Sequence, residues 1–176
     1  APDIDGDGRD ELLARAGGTG EVHLLYGGPT GTLDLPDADA WLYGPSDLGV
    51  AMAGCGDIDG DGYLDVAVSS PNSDEVYALT GGAVRRHGGI DLGAASTHVL
   101  VGEVVGDEAG RGLSTISDLD LDGSDELVVG APGSDEGVRT HAGKAYVVLH
   151  WAAGTSSLGD YQAFLGDVDL AAIGGT

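Results

Sequence analysis

The chain has 176 residues, of which 41% are hydrophobic, so it can form a folded domain with a core and is not a disordered acidic tail. Its formal net charge is −23, with only seven lysine and arginine residues, which excludes nucleic acid and anionic membranes as partners. No stretch approaches the roughly 18 apolar residues of a membrane-spanning helix, and the single cysteine, Cys55, excludes an internal disulfide.

Residues 3–11 form the first of three similar nonapeptides. Acids stand at its positions one, three, five and nine and a glycine at position six; these residues are Asp3, Asp5, Asp7, Glu11 and Gly8. Short apolar runs separated by glycine-rich turns follow, and they predict strands at Leu12–Ala16, Glu21–Tyr26 and Ala40–Tyr43. The first repeat therefore begins with a loop and continues with three strands.

The second repeat has the same order, with a strand predicted before its loop at Val50–Cys55. The acids of its nonapeptide, residues 57–65, are Asp57, Asp59, Asp61 and Asp65. Three strands are predicted after the loop, at Val66–Ser69, Glu75–Leu79 and His98–Val101.

The third repeat again has a leading strand, predicted at Leu113–Ser117. The acids of its nonapeptide, residues 118–126, are Asp118, Asp120, Asp122 and Glu126. The strands predicted after it are Leu127–Gly130, Lys144–Leu149 and Tyr161–Leu165. Helical periodicity does not persist beyond one turn anywhere, so we predict an all-β chain.

The three nonapeptides predict three calcium sites with a structural role. Alternating carboxylates around a tight turn converge on one point, and about six to eight oxygens at one point suit Ca²⁺. An EF-hand is rejected because its position twelve must be a bidentate glutamate, whereas Ala14, Val68 and Val129 stand there. The alternative is three solvated acidic turns that bind nothing, but crowded carboxylates repel one another unless a cation is present.

The residues around the loops resemble the FG-GAP repeats of integrin α-subunit propellers. Gly130-Ala131-Pro132 matches the GAP word fully and Ser69-Ser70-Pro71 matches it partly, whereas Leu48 and Ala109 replace the Phe of the FG pair. The resemblance implies β-propeller blades of four antiparallel strands, each with Ca²⁺ in the hairpin between its first two strands. It also implies a main-chain carbonyl ligand at position seven of each loop, which belongs here to Arg9, Tyr63 and Ser124.

We predict a single β-propeller portion over residues 1–176, with repeats at about 1–47, 48–108 and 109–166. Asp167-Val168-Asp169 resembles the start of a fourth loop, but Ala171 and Ala172 stand at positions five and six, so residues 167–176 are expected to lead toward a further blade. Because propellers close with about four to eight blades, we expect a piece of a larger propeller or a homo-oligomer that completes a ring.

The sequence predicts a binding module rather than an enzyme. It has no His-x-x-x-His pair, no Gly-x-Ser-x-Gly elbow and no phosphate-binding Gly-x-x-x-x-Gly-Lys pattern. We predict calcium-dependent protein binding or adhesion outside the cell, with a protein or a glycan as ligand. Two alternatives stay open, a module that presents carbohydrate to an attached hydrolase or lyase and a self-assembling structural repeat.

The third repeat has extra residues, Gly133–Gly143, between its second and third strands. On the family's plan this connection lies on the upper face, which is the face usually used for partners. We therefore hypothesise that Glu136, Arg139 and His141 contribute to a binding surface. A tolerated surface insertion is the alternative.

Overall fold

The computed structural model describes residues 1–28, 30–32, 34–96, 98–119, 121, 125–135, 138–149, 154–158 and 162–165. Within them the secondary structure is almost entirely β. The strands are β1 Leu12–Ala16, β2 Glu21–Leu25, β3 Ala40–Tyr43, β4 Met52–Gly56, β5 Asp65–Ser70, β6 Glu75–Leu79, β7 Gly88–Asp91, β8 His98–Val101, β9 Gly112–Ile116, β10 Glu126–Ala131, β11 Lys144–Val148, β12 Gly154–Ser157 and β13 Gln162–Leu165. One helical turn, α1 (Leu92–Ala95), and short 3-10 turns at Leu35–Asp37 and Pro71–Ser73 complete the described elements. No helix among the described residues is long enough to cross a membrane.

The strands form three sheets that follow the three repeats. The first sheet has the order β1-β2-β3-β7, the middle sheet β4-β5-β6-β8-β12, and the third sheet β9-β10-β11-β13. Strands that belong to the same repeat pair antiparallel. The prediction of an all-β fold with blades of the FG-GAP type is confirmed.

Two strands that the sequence did not predict connect neighbouring repeats. β7 lies in the second repeat but pairs in parallel with β3 of the first sheet, from Gly88 opposite Ala40 to Asp91 opposite Tyr43. β12 lies in the third repeat and pairs in parallel with β8 of the middle sheet. Each of these two sheets therefore takes its last strand from the following repeat, which ties consecutive repeats together by backbone hydrogen bonds.

β1 lies at the edge of the first sheet as the structure describes it. It pairs with β2, whereas the equivalent strand β5 lies between β4 and β6. The amino group of Ala1 donates to the carbonyl of Glu11 at 2.9 Å. In the middle sheet the residue opposite Asp65, the counterpart of Glu11, is Gly56 at the end of the leading strand.

The core lies in two layers, one on each side of the middle sheet. Side chains alternate along β5, so Val66 and Val68 pack toward the first sheet while Ala67 packs toward the third. Leu48 and Ala109, which replace the Phe of the FG pair, are fully buried, one in each layer. The two replacements therefore remain core residues.

Candidate metal centre

In the first and second loops, the first acid accepts hydrogen bonds from the backbone of its own turn. Asp3 Oδ1 accepts hydrogen bonds from the backbone N–H groups of Gly6 at 2.8 Å and Asp7 at 3.1 Å, and its Oδ2 accepts one from Gly8 at 2.8 Å. Asp57 makes the same three bonds to the residues three, four and five positions later, at 2.8, 3.1 and 2.8 Å. The first two loops therefore have the same backbone conformation, which the residues within the loop determine.

The acids at positions three and five make one further set of matching bonds. Asp5 Oδ1 accepts from the N–H of Asp7 at 3.0 Å, and Asp7 Oδ1 accepts from the N–H of Arg9 at 2.9 Å. In the second loop the corresponding distances, at Asp59 and Asp61, are 3.2 and 2.9 Å. Each of these carboxylates uses one oxygen for the turn and keeps the other for a further ligand.

Glycines allow the backbone to follow this path. The third residue after the leading Asp has a positive φ in both loops, 73° at Gly6 and 76° at Gly60. Gly8 and Gly62, at position six, have φ values of 85° and 89°. A side chain at these positions would strain the turn, so the glycine pattern of the nonapeptide has a direct structural cause.

The acid at position nine closes the loop from the other side. Asp65 is fully buried; its Oδ2 accepts from the N–H of Ile58 at 2.8 Å and its Oδ1 from that of Gly81 at 2.7 Å. Glu11 makes the equivalent bonds to Ile4 at 2.6 Å and Gly27 at 3.4 Å. The acid at position nine thus links the start of its loop to the segment after the second strand that follows the loop, which is β2 for Glu11 and β6 for Asp65.

Burial makes these closing acids hard to ionise. Desolvation, together with the nearby carboxylates of Asp59 and Asp57, raises the pKa of Asp65 to about 6, against the opposing effect of the two backbone N–H groups. Desolvation also raises the pKa of Glu11, with Asp5 and Asp3 adding to the effect. A cation bound among these carboxylates would reverse the balance and favour the charged forms.

Carboxylate oxygens of the first two loops converge as a metal site requires. In the first loop, one oxygen from each of Asp3, Asp5, Asp7 and Glu11 lies within 4.8 Å of the others, and in the second loop the same holds for Asp57, Asp59 and Asp61. Ca²⁺–oxygen distances of about 2.3–2.6 Å place ligands on opposite sides of one ion up to about 5 Å apart. An all-oxygen, carboxylate-rich donor set fits Ca²⁺ and does not favour Zn²⁺ or Cu²⁺.

The other predicted ligands are the position-nine acid of the second loop, the position-seven carbonyls and three residues of the third loop. Asp65 is absent from the converging set of the second loop, whereas its counterpart Glu11 belongs to that of the first, although both accept from two backbone N–H groups. The position-seven carbonyls of Arg9 and Tyr63 remain a prediction. In the third loop, Asp120, Asp122 and Ser124 lie outside the described residues.

Two of the three described acids of the third loop, Asp118 and Glu126, have oxygens that need a partner. Glu126 is fully buried and accepts from the N–H of Leu119 through Oε2, as its counterparts do in the other loops. Its Oε1 and the Oδ1 of Asp118 are buried and have no hydrogen-bond partner in the described part of the chain. Buried oxygens without a partner are costly, and a bound cation would satisfy them. The residues present therefore fit a Ca²⁺ ion.

A basic residue that the sequence reasoning missed contacts the first loop. The guanidinium group of Arg85 donates through Nε to Asp5 and through Nη2 to Asp7, the latter at 2.6 Å. The available clue was that Arg85-Arg86 is a basic pair in a chain with only seven basic residues. Its target could not be inferred because Arg85 lies 80 residues from Asp5.

The first and second loops lie side by side. The ring of Tyr63 packs against Gly6, where an added Cβ would lie 2.8 Å from Tyr63 Cε1. The backbone N–H of Gly82 donates to the carbonyl of Ile4 at 2.8 Å. The segment after β6 therefore runs between the two loops, and the second repeat supplies part of the surroundings of the first loop.

Comparison with known proteins identifies the repeats. A family model described as FG-GAP-like repeat matches residues 3–68, and a model described as FG-GAP repeat matches residues 109–148. Integrin alpha-M of Mus musculus is 29% identical over 149 residues, a match that covers 74% of this chain and 12% of that protein. The chain thus spans about an eighth of the length of that relative, and the segments matched by the two models include all three nonapeptides.

Proposed function

The chain contains an FG-GAP, integrin α-like repeat region, and from this premise we propose that it is a calcium-stabilised propeller module that binds a protein ligand outside the cell. The observation that carries the calcium part is the convergence of carboxylate oxygens in two separate loops with matching hydrogen bonds. The likeness to integrin alpha-M supports an adhesion-type module. The net charge of −23 favours a ligand with a basic surface.

The role of calcium in this proposal is structural. The second loop connects β4 to β5 and the third connects β9 to β10, so each ion would hold the first hairpin of a blade. Within the loop, Asp57 and Asp65 already direct the backbone, and Asp59 and Asp61 keep oxygens for the ion. A bound Ca²⁺ would supply the positive charge that these crowded carboxylates need.

Thermal unfolding with and without calcium tests this role. Because an ion that binds only the folded state stabilises it by mass action, we expect EDTA to lower the Tm by at least about 5 °C and added Ca²⁺ to restore it. Calcium binding measured at saturating Ca²⁺ gives the stoichiometry, for which we expect three ions per chain. An EDTA-insensitive melt together with absent calcium would overturn the calcium proposal.

Loop variants make the test specific. Asp59→Ala removes one converging carboxylate of the second loop, and we expect it to lower the bound calcium by one ion while the other loops stay filled. Asp10→Ala is the matched control, because Asp10 is an exposed acid of the first loop outside the converging set. Equal losses of bound calcium in the two variants would indicate a general effect of net charge instead of discrete calcium sites.

The ligand surface is proposed to include the inserted connection of the third repeat. Arg139 and His141 are exposed, and Glu136 lies outside the described residues. The N–H of Gly143 donates to the carbonyl of Ser134 at 3.0 Å, so the two ends of the insertion are close together. A deletion of residues 135–142 can therefore remove the insertion while leaving the flanking strands joined.

Binding assays on the intact and the deleted protein test this surface. We expect binding to at least one member of a panel of purified extracellular-matrix proteins in millimolar Ca²⁺, loss of binding in EDTA, and weaker binding after the deletion. Binding to a glycan array alone would favour the carbohydrate-presenting alternative. Unchanged binding by the deleted protein would exclude the insertion from the ligand surface.

A further inference from the structure

The first two loops have the same internal geometry but different surroundings. In the first loop, the guanidinium group of Arg85 binds the carboxylates of both Asp5 and Asp7. In the second loop, the equivalent residues Asp59 and Asp61 form no ion pair with a basic side chain of the described chain. A Cβ atom added at Gly82 would lie 4.0 Å from Oδ2 of Asp61. The segment after β6 therefore places Gly82 beside the second loop and Arg85 against the first.

Arg85 is held in place by contacts behind the guanidinium group. Its Cζ lies over the ring of Tyr26, 5.1 Å from the centroid, which is a cation–π distance. The hydroxyl group of Tyr26 accepts a hydrogen bond from the backbone N–H of Arg86 at 3.0 Å, and its ring meets that of His87 edge to face. These contacts fix the segment that carries Arg85 against the first repeat.

The guanidinium group and a metal ion need the same carboxylates. Asp5 and Asp7 each use Oδ1 for the turn and Oδ2 for Arg85, so both oxygens of each carboxylate are engaged. In the second loop the Oδ1 atoms of Asp59 and Asp61 make the same turn bonds, and Oδ2 is left for an ion. The Arg85 side chain is 41% exposed, so it can move into solvent when an ion enters.

We propose that Arg85 acts as a built-in competitor of Ca²⁺ at the first loop, which makes this loop a weaker and more readily emptied cation site than the second. The proposal rests on the proposed calcium binding. In the absence of the ion, Arg85 offsets part of the negative charge of the first loop, at Asp5 and Asp7, and links the loop to the second repeat. Binding of Ca²⁺ to the first loop breaks the ion pairs of Arg85 with Asp5 and Asp7, whereas binding to the second loop breaks no ion pair among the described contacts.

Calcium titration of an isolated first loop tests the proposal. The background is Asp59→Ala with Asp120→Ala, which disables the second and third nonapeptides. In this background we expect Arg85→Gln to raise the calcium association constant of the first loop roughly tenfold, because a neighbouring positive charge no longer opposes the ion. Arg85→Lys keeps the charge but loses the two-pronged contact, so its association constant is expected between the two. Isothermal titration calorimetry with CaCl₂ provides the measurement.

Arg86→Gln is the matched control for the titration. It removes the same charge from the adjacent residue, but the Arg86 side chain donates to the carbonyl and the hydroxyl group of Thr80 and forms no ion pair with Asp5 or Asp7 among the described contacts. We expect it to leave the association constant nearly unchanged. Equal increases in Arg86→Gln and Arg85→Gln would reduce the effect to net charge and overturn the competition.

Two further outcomes would also overturn the inference. One is an unchanged or lower association constant in Arg85→Gln, and the other is no detectable calcium binding in that variant. The proposed function is tested separately by the calcium content of the wild-type protein, so the two failures are distinguishable. Should the double background unfold, the Nε–H signal of Arg85 is followed by NMR in the wild-type protein instead. That signal is expected to shift only at calcium concentrations above those that fill the second loop, and a shift at lower concentrations overturns the proposal.

Discussion

The nonapeptides of the first and second repeats have the same first six residues, yet their loops and the strands that follow have different neighbours. Leu12, the first residue after the first loop, is 47% exposed, whereas its counterpart Val66 is 1% exposed. All six residues of β5 are buried, but only one of the five residues of β1 is. The comparison shows that the nonapeptide determines its own turn, while the burial of the strand behind it depends on the adjacent strands and sheets.

The same contrast applies to the electrostatics of the loops. Both loops place their position-one Asp at the centre of three backbone N–H groups. Only the first loop also receives an arginine from another repeat, within the described residues. The local sequence therefore gives the first two loops the same internal hydrogen bonds, and the packing between repeats gives them different electrostatic surroundings.

The largest expected difference between the repeats is in the cost of removing an apolar side chain. Val66→Ala deletes atoms from a fully packed position, so it should lower the free energy of unfolding by about 2 kcal/mol. Leu12→Ala removes more atoms but from an exposed edge, and should cost less than about 0.5 kcal/mol. Urea unfolding of both variants in saturating Ca²⁺ measures the two values. Similar losses would mean that β1 is covered in solution.

The acids at position nine should differ by a smaller amount. In EDTA, Asp65→Asn places an amide against one of two backbone N–H donors, at a cost of about 1–2 kcal/mol in the free energy of unfolding. Glu11→Gln should cost about half as much, since its bond to Gly27 is long, at 3.4 Å, where Asp65 has a bond of 2.7 Å to Gly81. The measurement is urea unfolding without metal, which separates loop closure from ion binding. Equal costs would show that the two closing acids have the same role despite their different distances.

The smallest difference is expected at the first glycine of each loop. Gly6 and Gly60 have similar positive φ values, 73° and 76°, so alanine should cost roughly 1 kcal/mol at either position. An added Cβ at Gly60 meets no heavy atom within 4 Å, while at Gly6 it meets the Tyr63 ring at 2.8 Å. Gly6→Ala should therefore cost about 0.5 kcal/mol more. A double-mutant cycle of Gly6→Ala with Tyr63→Ala checks this, because the extra cost must vanish once the ring is absent.

Much of the strand pattern could be predicted from the sequence. Four of the predicted strands match the structure residue for residue, namely Leu12–Ala16, Ala40–Tyr43, Glu75–Leu79 and His98–Val101. These segments are rich in apolar residues and bounded by glycine, proline or acidic turns, so local preference and burial favour the same structure. The other predicted strands differ from the observed bounds by one or two residues.

The two parallel strands could not be predicted in the same way. β7 begins with Gly88-Gly89, and β12 consists of Gly154, Thr155 and two serines, so neither has the alternating apolar pattern of an independent strand. They are strands because β3 and β8 offer unpaired edges to them. Edge pairing supplies backbone hydrogen bonds whatever the side chains are, which explains why composition does not reveal them.

Acids outside the nonapeptides show a related limit. Asp47 accepts from the N–H of Asn72 at 2.7 Å, and Asp74 accepts from Gly106 at 2.6 Å and Ala109 at 3.1 Å. Both are buried and hold turns of the fold. Sequence alone could not separate these structural acids from solvated ones, because their partners lie 25 to 35 residues away.

The nonapeptide sequences by themselves determined where the acidic loops occur and how the first two loops turn, because the hydrogen bonds accepted by the acids at positions one, three and five join residues at most five positions apart, and the bond from position two to position nine joins residues seven apart. Only the tertiary structure decided which loop is covered by an arginine and which strand is buried. The contacts responsible join residues up to 80 positions apart. Such contacts arise when whole sheets pack face to face, and no local pattern of residues encodes them.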